Sequence, residues 1–340
     1  LDLNILWFIL VGVLFFGYAV LDGFDLGVGM LHLFAKNDNE RRLLLNSIGP
    51  VWDGNEVWLV TGGGAIFAAF PNVYATLFSG FYVPFMMLLT ALIFRAVSIE
   101  FRSKQTHAVW RHVWDAAFFI GSLVAALLFG VLVGNLALGL PLDEKHQYVG
   151  GFWNLLNPYA LIVGVSTIAL FLMHGSIYLV MKTEGELHDR IRKWVWVTMF
   201  VFIGCYVLTT GATLLFVPRM LKHFEAHPSF WLISVVNLLA VANVPREIYH
   251  KRDFNAFLSS CGAILCLMAL LAIGVYPYML PALDPAHPEY GLDIYHSASS
   301  QKTLTIMAII AAIGMPLVLA YTASIYWIFR GKVKLEGGSY

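Results

Sequence analysis

An all-α protein that crosses a membrane about nine times is the fold class this sequence predicts, and three observations predict it. Apolar residues make up 59% of the chain and charged residues only 12%, with a mean hydropathy of +0.74. A soluble domain carries roughly 25% charged residues. The apolar residues also gather in nine stretches near the length of about 20 that one crossing needs. Finally, Lys and Arg sort between alternate connections, as membrane topology requires.

The stretches lie at about 4–33, 49–70, 74–99, 111–137, 157–181, 193–217, 228–245, 253–279 and 303–330. The first holds two aspartates, lacks a basic opening and is too long for a secretory h-region, so it reads as a span and not as a cleaved leader. The second and third are joined by a few residues around Pro71. The fourth, fifth and sixth are long and nearly free of charge in their middles. The seventh is the shortest, which makes eight spans the nearest alternative. Four spans, four spans and one more suit two four-helix bundles plus one peripheral helix. The connections leave no room for a separate soluble unit, so the chain reads as a single transmembrane domain over 1–340. The longest connections, around 138–156 and 280–302, carry Pro, Gly and Tyr and suit a cap over one face.

Lys145, Arg219, Lys222 and Lys302 lie in the even connections and Arg95 lies inside the third stretch. The other sixteen of the 21 basic residues lie in the odd connections and the C-terminal tail. The positive-inside rule then places the N-terminus outside and the C-terminus in the cytoplasm of a multi-pass protein of a bacterial or archaeal cell membrane. A net charge of zero argues against nucleic-acid binding. Cys205, Cys261 and Cys266 all fall in apolar stretches and match no metal or disulfide framework.

Charge inside the spans carries the functional signal. Asp22 and Asp25 are three apart and share a helix face, with His32 seven further on. Asp53 and Glu56 share a face at the opening of the second span, Arg95 and Glu100 end the third, and His112 and Asp115 begin the fourth. With the first helix descending to the cytoplasm near residue 34, Asp25 lies roughly 14 Å inside that end, and the whole set falls in the cytoplasmic half. Each aspartate costs on the order of 3 kcal/mol at mid-membrane. Arg95 cannot neutralise four acids on two helices, so some are hydrated, protonated or hydrogen-bonded, and such groups pass protons. Asp25 and Asp53 read as members of a proton or polar network. Glu56 and Glu100 read equally well as ion-pair partners of Arg95, and Asp115, early in its helix, as a favourable charge at the positive end of the helix dipole. On these terms Asp53→Asn impairs function more than Asp115→Asn.

The glycine pairs Gly23/Gly27 and Gly130/Gly134, and the run Gly62-Gly63-Gly64, suit close helix packing in lipid. Of eleven histidines only His174, beside Met173, is well inside a span. A lone histidine suits a hydrogen-bonded core position better than a haem ligand, so the chain is expected to bind no haem or metal by itself. No phosphate-binding loop, nucleophile elbow or zinc-type cluster is present.

Several blocks resemble subunit II of the cytochrome bd-type quinol oxidases: LDGFDLGVG at 21–29, NSIGPVWDGNEVWLVTGGGAIFAAFP at 46–71, FSGFY at 78–82, FRAVSIEFR at 94–102, WDAAFFIGS at 114–122 and SSQKTLTIMAIIAAIGMPLVLAYT at 299–322. The likeness is dense over the first 135 residues and clear over the last 40. It implies a non-haem subunit that stabilises a haem-bearing subunit I, with two b-type haems, one d-type haem and the quinol site on that partner. The complex would oxidise quinol and reduce dioxygen to water with protons drawn from the cytoplasm. The residues placed by the resemblance on that proton path are Asp22, Asp25, Asp53, Arg95 and Asp115. Glu56 is a further candidate from the residues themselves, although it departs from the Gln of many family members. The resemblance also admits a structural quinone in this chain, small single-span companion subunits and bound membrane lipid. The rival reading is a stand-alone proton-coupled secondary transporter, which intramembrane acids and glycines also suit.

Overall fold

Hydrogen-bonding backbone groups have no water to meet inside a bilayer, so a chain this apolar has to satisfy them within helices. The computed structural model describes residues 2–335, and helices dominate them. They are α1 (Leu3–Leu31), α2 (Asp38–Ile48), α3 (Trp52–Ala69), α4 (Pro71–Gly80), α5 (Tyr82–Phe101), α6 (Ala108–Leu138), α7 (a turn, Phe152–Leu155), α8 (Pro158–Lys182), α9 (Gly185–Phe216), α10 (Lys222–Ala226), α11 (Trp231–Tyr249), α12 (Asp253–Val275) and α13 (Gln301–Ile328). The starts are chemically marked. Asp2 accepts from the amides of Asn4 and Ile5, Asn37 from Glu40, Asn157 from Ala160 ahead of Pro158, and Ser300 from Thr303. Each satisfies a first-turn N–H that the helix cannot. Gly139 ends α6 at φ 98°, a conformation costly for any residue with a Cβ.

Eight helices among the described residues are long and apolar enough to cross a membrane: α1, α5, α6, α8, α9, α11, α12 and α13. α3 falls short because Asp53, Asn55 and Glu56 open it. Its position nevertheless makes it a pass. Asn55 at its start meets Leu21 and Asp25 of α1, whereas Ala69 at its end accepts from the Ser299 amide just before α13. There Trp7 also donates to the Leu304 carbonyl. α3 therefore runs antiparallel to α1, towards the end of the bundle where α1 and α13 begin, and the nine-pass expectation holds.

α1, α3, α5 and α6 pack together, as do α8, α9, α11 and α12, with α8 lying against both α1 and α6. α8 is the centre, with most of its residues buried, whereas α13 is almost wholly exposed. α13 leans on α1 and α3 and buries only Leu304 completely. The helix crossings depend on small residues. A Cβ on Gly27 would lie 2.0 Å from the Phe171 carbonyl oxygen and 2.9 Å from Gly175 Cα, and one on Gly134 would lie 2.6 Å from Ala160 Cα. Backbones thus touch at the α1–α8 and α6–α8 crossings. Of the Gly62-Gly63-Gly64 run only Gly62 packs, on Phe15; Gly63 and Gly64 face away from the rest of the chain.

One end of the bundle is capped by the connections flanking α7 and preceding α13. β1 (Tyr278–Leu280) and β2 (Leu292–Asp293) pair antiparallel. Leu140 donates its amide to the Pro281 carbonyl and accepts from the Leu283 amide, Thr76 donates to the His146 carbonyl, and Arg219 donates to the last carbonyls of α6, Leu136 and Ala137. The other end carries most of the basic residues. There Arg190 pairs with Glu40, Arg192 with Asp253, and Lys332 donates to the Val180 carbonyl.

Candidate functional site

Tyr18, Asp22, Asp25, Gly29 and, in the 3-10 turn that continues α1, His32 follow one another in steps of four and three. Those steps keep all five on one face of a helix, and every one is buried. The stripe rises about 21 Å from Tyr18 to His32, and two charged clusters sit on it.

The inner cluster joins three helices. Arg95 of α5, with no exposed surface, donates to both oxygens of Asp22 at 3.0 and 2.5 Å and to Glu56 of α3 at 2.8 Å, and its Nη2 stands 3.9 Å from Asp25 Oδ2. Asn55 Nδ2 donates to Asp25 Oδ2 at 2.7 Å and to the Leu21 carbonyl at 3.2 Å. The Tyr326 hydroxyl donates to Asn55 Oδ1 at 2.9 Å. Asp22 and Asp25 are fully buried, and Glu56 alone reaches the bundle surface, with 23% of its side chain exposed. One guanidinium thus faces three carboxylates. Burying a surplus of negative charge in low dielectric is costly.

The second cluster has the opposite balance. Asp115 Oδ1 lies 2.5 Å from His32 Nε2 and accepts from Arg102 Nε at 2.5 Å, while Oδ2 accepts from Arg41 at 2.6 Å. Arg102 also reaches Asp38 at 2.8 Å, and Arg111 meets the other oxygen of Asp38 at 2.9 Å. Asp115 stands in the third turn of α6, whose N-cap is His107. It is therefore not placed to cap the helix; it ties α1, α2, α5 and α6 together. Between the clusters Gly29 lies against Ser122. Asp25 Oδ1, the Ser122 hydroxyl and His32 Nδ1 are buried polar atoms that form no hydrogen bond among the described residues. They mark a line of polar atoms from the inner cluster towards the basic end.

Of the residues picked out by sequence, Asp22, Asp25, Glu56 and Arg95 meet in one cluster and Asp115 belongs to the other. Asp53 stands apart from both: it is exposed on α3, beside Val57 and Val60 on the outer surface of the bundle. Sequence reading missed Asn55, Tyr326, Arg41 and Arg102. Asn55 lies between two acids it had singled out, and its apolar-side placement was a usable signal. Nothing near residue 326 points to a partner 271 positions away. His174 is held on both sides, by Ser260 at Nδ1 (2.7 Å) and by the Val20 carbonyl at Nε2 (2.9 Å), and stacks on Phe257. Both ring nitrogens are engaged, which does not fit an axial haem ligand. Among the described residues no group of three or more His, Cys, Asp or Glu could hold a metal ion.

Comparison with known proteins agrees with this architecture. The model of the cytochrome bd terminal oxidase subunit II family matches residues 3–329. The chain is 37% identical to cytochrome bd-I ubiquinol oxidase subunit 2 of Escherichia coli K12, over 98% of this chain and 96% of that protein. It is 36% identical to cytochrome bd ubiquinol oxidase subunit 2 of Bacillus subtilis, over 98% and 97%. In fold it resembles a chain of the bd oxidase from Geobacillus thermodenitrificans, with a TM-score of 0.77 at 17% identity, covering 97% and 98% of the two chains. With full-length similarity to bacterial relatives and helices of this kind, the chain is a multi-pass membrane protein, and it belongs to the cytochrome bd terminal oxidase subunit II family.

Proposed function

We propose that this chain is the non-haem subunit of a bd-type quinol oxidase, packed against a haem-bearing subunit I, and that its inner acid cluster carries protons from the cytoplasm for the reduction of dioxygen to water. The observation that carries the reading is the buried set Asp22, Asp25, Glu56 and Arg95, three carboxylates on one guanidinium, on a stripe that continues to the basic end of the bundle. By the positive-inside rule that end faces the cytoplasm, with the C-terminus there and the N-terminus outside. Ser122 and His32 offer polar atoms between cytoplasm and cluster. Glu56 and exposed Asp53, one turn apart on α3, lead outward to the bundle surface. The chain acts as one transmembrane domain.

The surface supports a large partner. α13 exposes Ile309, Ile310, Ile313 and Leu317, each by more than half, and α3 exposes Val60 and Phe67. Two b-type haems and one d-type haem belong to subunit I in this reading, since His174 is occupied on both nitrogens. Lipid and small single-span subunits would cover what subunit I leaves.

Asp53 and Asp115 separate two kinds of loss, and for assembly the order expected from sequence is reversed because Asp115 is the acceptor of a buried cluster while Asp53 is exposed. Asp115→Asn strips charge from the acceptor of Arg41 and Arg102 and is expected to cost about 3–5 kcal/mol of folding stability, read as a lower yield of haem-loaded complex. Asp53→Asn is expected to assemble normally, because among the described residues its side chain makes no hydrogen bond or ion pair, and to lower turnover per haem through its place on the path. Wild-type turnover in assembled Asp53→Asn complex would remove that residue from the path. The function as a whole is tested by purifying the tagged chain in mild detergent and recording a reduced-minus-oxidised absorption spectrum. Co-purifying b- and d-type haem bands with quinol oxidase activity support it. A folded, haem-free chain without a partner would point to a stand-alone transporter.

A further inference from the structure

Asn55 is buried to 2% exposure although its neighbours Asp53 and Gly54 are exposed. Its amide is orientated without ambiguity. Nδ2 has two hydrogens, and two acceptors face it: the Leu21 carbonyl at 3.2 Å and Asp25 Oδ2 at 2.7 Å. Oδ1 faces the Tyr326 hydroxyl at 2.9 Å. Exchanging the oxygen and nitrogen of the amide would set an acceptor against two acceptors. The Tyr326 hydroxyl then has its single hydrogen on Asn55, and Asn55 can only donate to Asp25.

The two oxygens of Asp25 are thereby made unequal. Oδ2 faces the Asn55 amide and, at 3.9 Å, Arg95 Nη2. Oδ1 is buried, with no hydrogen-bond partner among the described residues. A proton on Oδ2 would confront an N–H and a guanidinium, whereas Oδ1 confronts neither. Tyr326 comes from α13, the peripheral helix, and its ring stands edge-on to Phe24 at 6.4 Å, one residue before Asp25. The outermost helix of the bundle thus reaches into the acid cluster through one hydroxyl.

We infer that Tyr326 and Asn55 are positioning residues that direct the proton of Asp25 to Oδ1, so that protons enter and leave this carboxyl at one oxygen. The inference rests on the proton-path reading of the cluster. Neither residue exchanges the proton itself: Tyr326 fixes Asn55, and Asn55 fixes the carboxyl.

The test uses the assembled oxidase with Tyr326→Phe, which keeps the ring and removes only the hydroxyl, and with Asn55→Ser as a second variant. Turnover per haem is followed against pH, alone and in an Asp25→Asn background. Tyr326→Phe is expected to lower turnover about fivefold and to move the pH of half-maximal turnover by about 0.7 unit, the size of one lost hydrogen bond. Asn55→Ser is expected to do the same, and neither should change the Asp25→Asn enzyme further. Unchanged turnover and pH profile in both variants would overturn the inference. So would an equal loss in the Asp25→Asn background, which is what a merely structural role produces. If Asp25→Asn itself behaves as wild type, the proton-path reading fails; if Asp25→Asn is impaired while both variants are normal, only the positioning role fails.

Discussion

Replacing Arg95 with leucine is expected to be among the most damaging single changes in the membrane core, costing about 3–5 kcal/mol. The reason is the cluster's charge balance. Arg95 is the cation facing Asp22, Asp25 and Glu56, and its loss strands carboxylates away from water. The measurement is the yield and thermal stability of the haem-loaded complex, which should fall together. Arg95→Lys is expected to recover little, because an ammonium cannot reproduce the two-point contact to Asp22 at 3.0 and 2.5 Å while also reaching Glu56. A second-site Asp22→Asn should restore part of the stability lost in Arg95→Leu by removing one stranded charge. Full stability in Arg95→Leu alone would show that the cluster is not held by ion pairing.

The second large effect concerns packing. Gly27→Val is expected to break the α1–α8 crossing, because its Cβ would lie 2.0 Å from a backbone oxygen and the neighbouring atoms at Phe171 and Gly175 are main chain. No rotamer change relieves that contact, so two helices must separate. Overpacking of this kind costs typically 1–3 kcal/mol or more. The same helix carries Asp22, Asp25 and His32, so the displacement should also lower turnover in whatever complex assembles. Gly204→Ala on α9, where nothing lies within 4 Å of the new methyl, is the control and should leave thermal stability nearly unchanged. Comparable losses in the two variants would contradict the packing account.

Hydropathy made the helices legible in the sequence because a membrane core demands long apolar runs. It cast doubt on the seventh stretch, which is long and apolar enough to cross, and not on the second, where the polar first turn of α3 lowers its apolarity. The same physics explains what could be read of the site itself. A carboxylate inside an apolar helix stands out wherever it occurs, so Asp22, Asp25, Glu56, Arg95 and Asp115 were visible one by one. Their grouping was visible only in part. Asp22 meets Arg95 across 73 positions and His32 meets Asp115 across 83, and such pairings depend on which helix faces which. Glu56 was offered as one possible partner of Arg95, and the two do meet. Asp115 was misjudged as a helix-dipole residue because Arg41 and Arg102, in connecting segments, had been assigned to topology alone. Asn55 and Tyr326 carry no charge, and an uncharged polar residue in a span gives little sign of its partner.

Proton uptake is the most direct measure of the central claim. With the complex in liposomes and a pH dye on the side facing the basic end of the bundle, uptake during a single turnover with dioxygen is compared between wild type and Asp25→Asn at equal haem content. The account predicts that Asp25→Asn slows uptake by on the order of tenfold or more, with haem spectra unchanged. Uptake at the wild-type rate in that variant would contradict it and leave the buried acids of this subunit with a packing role only.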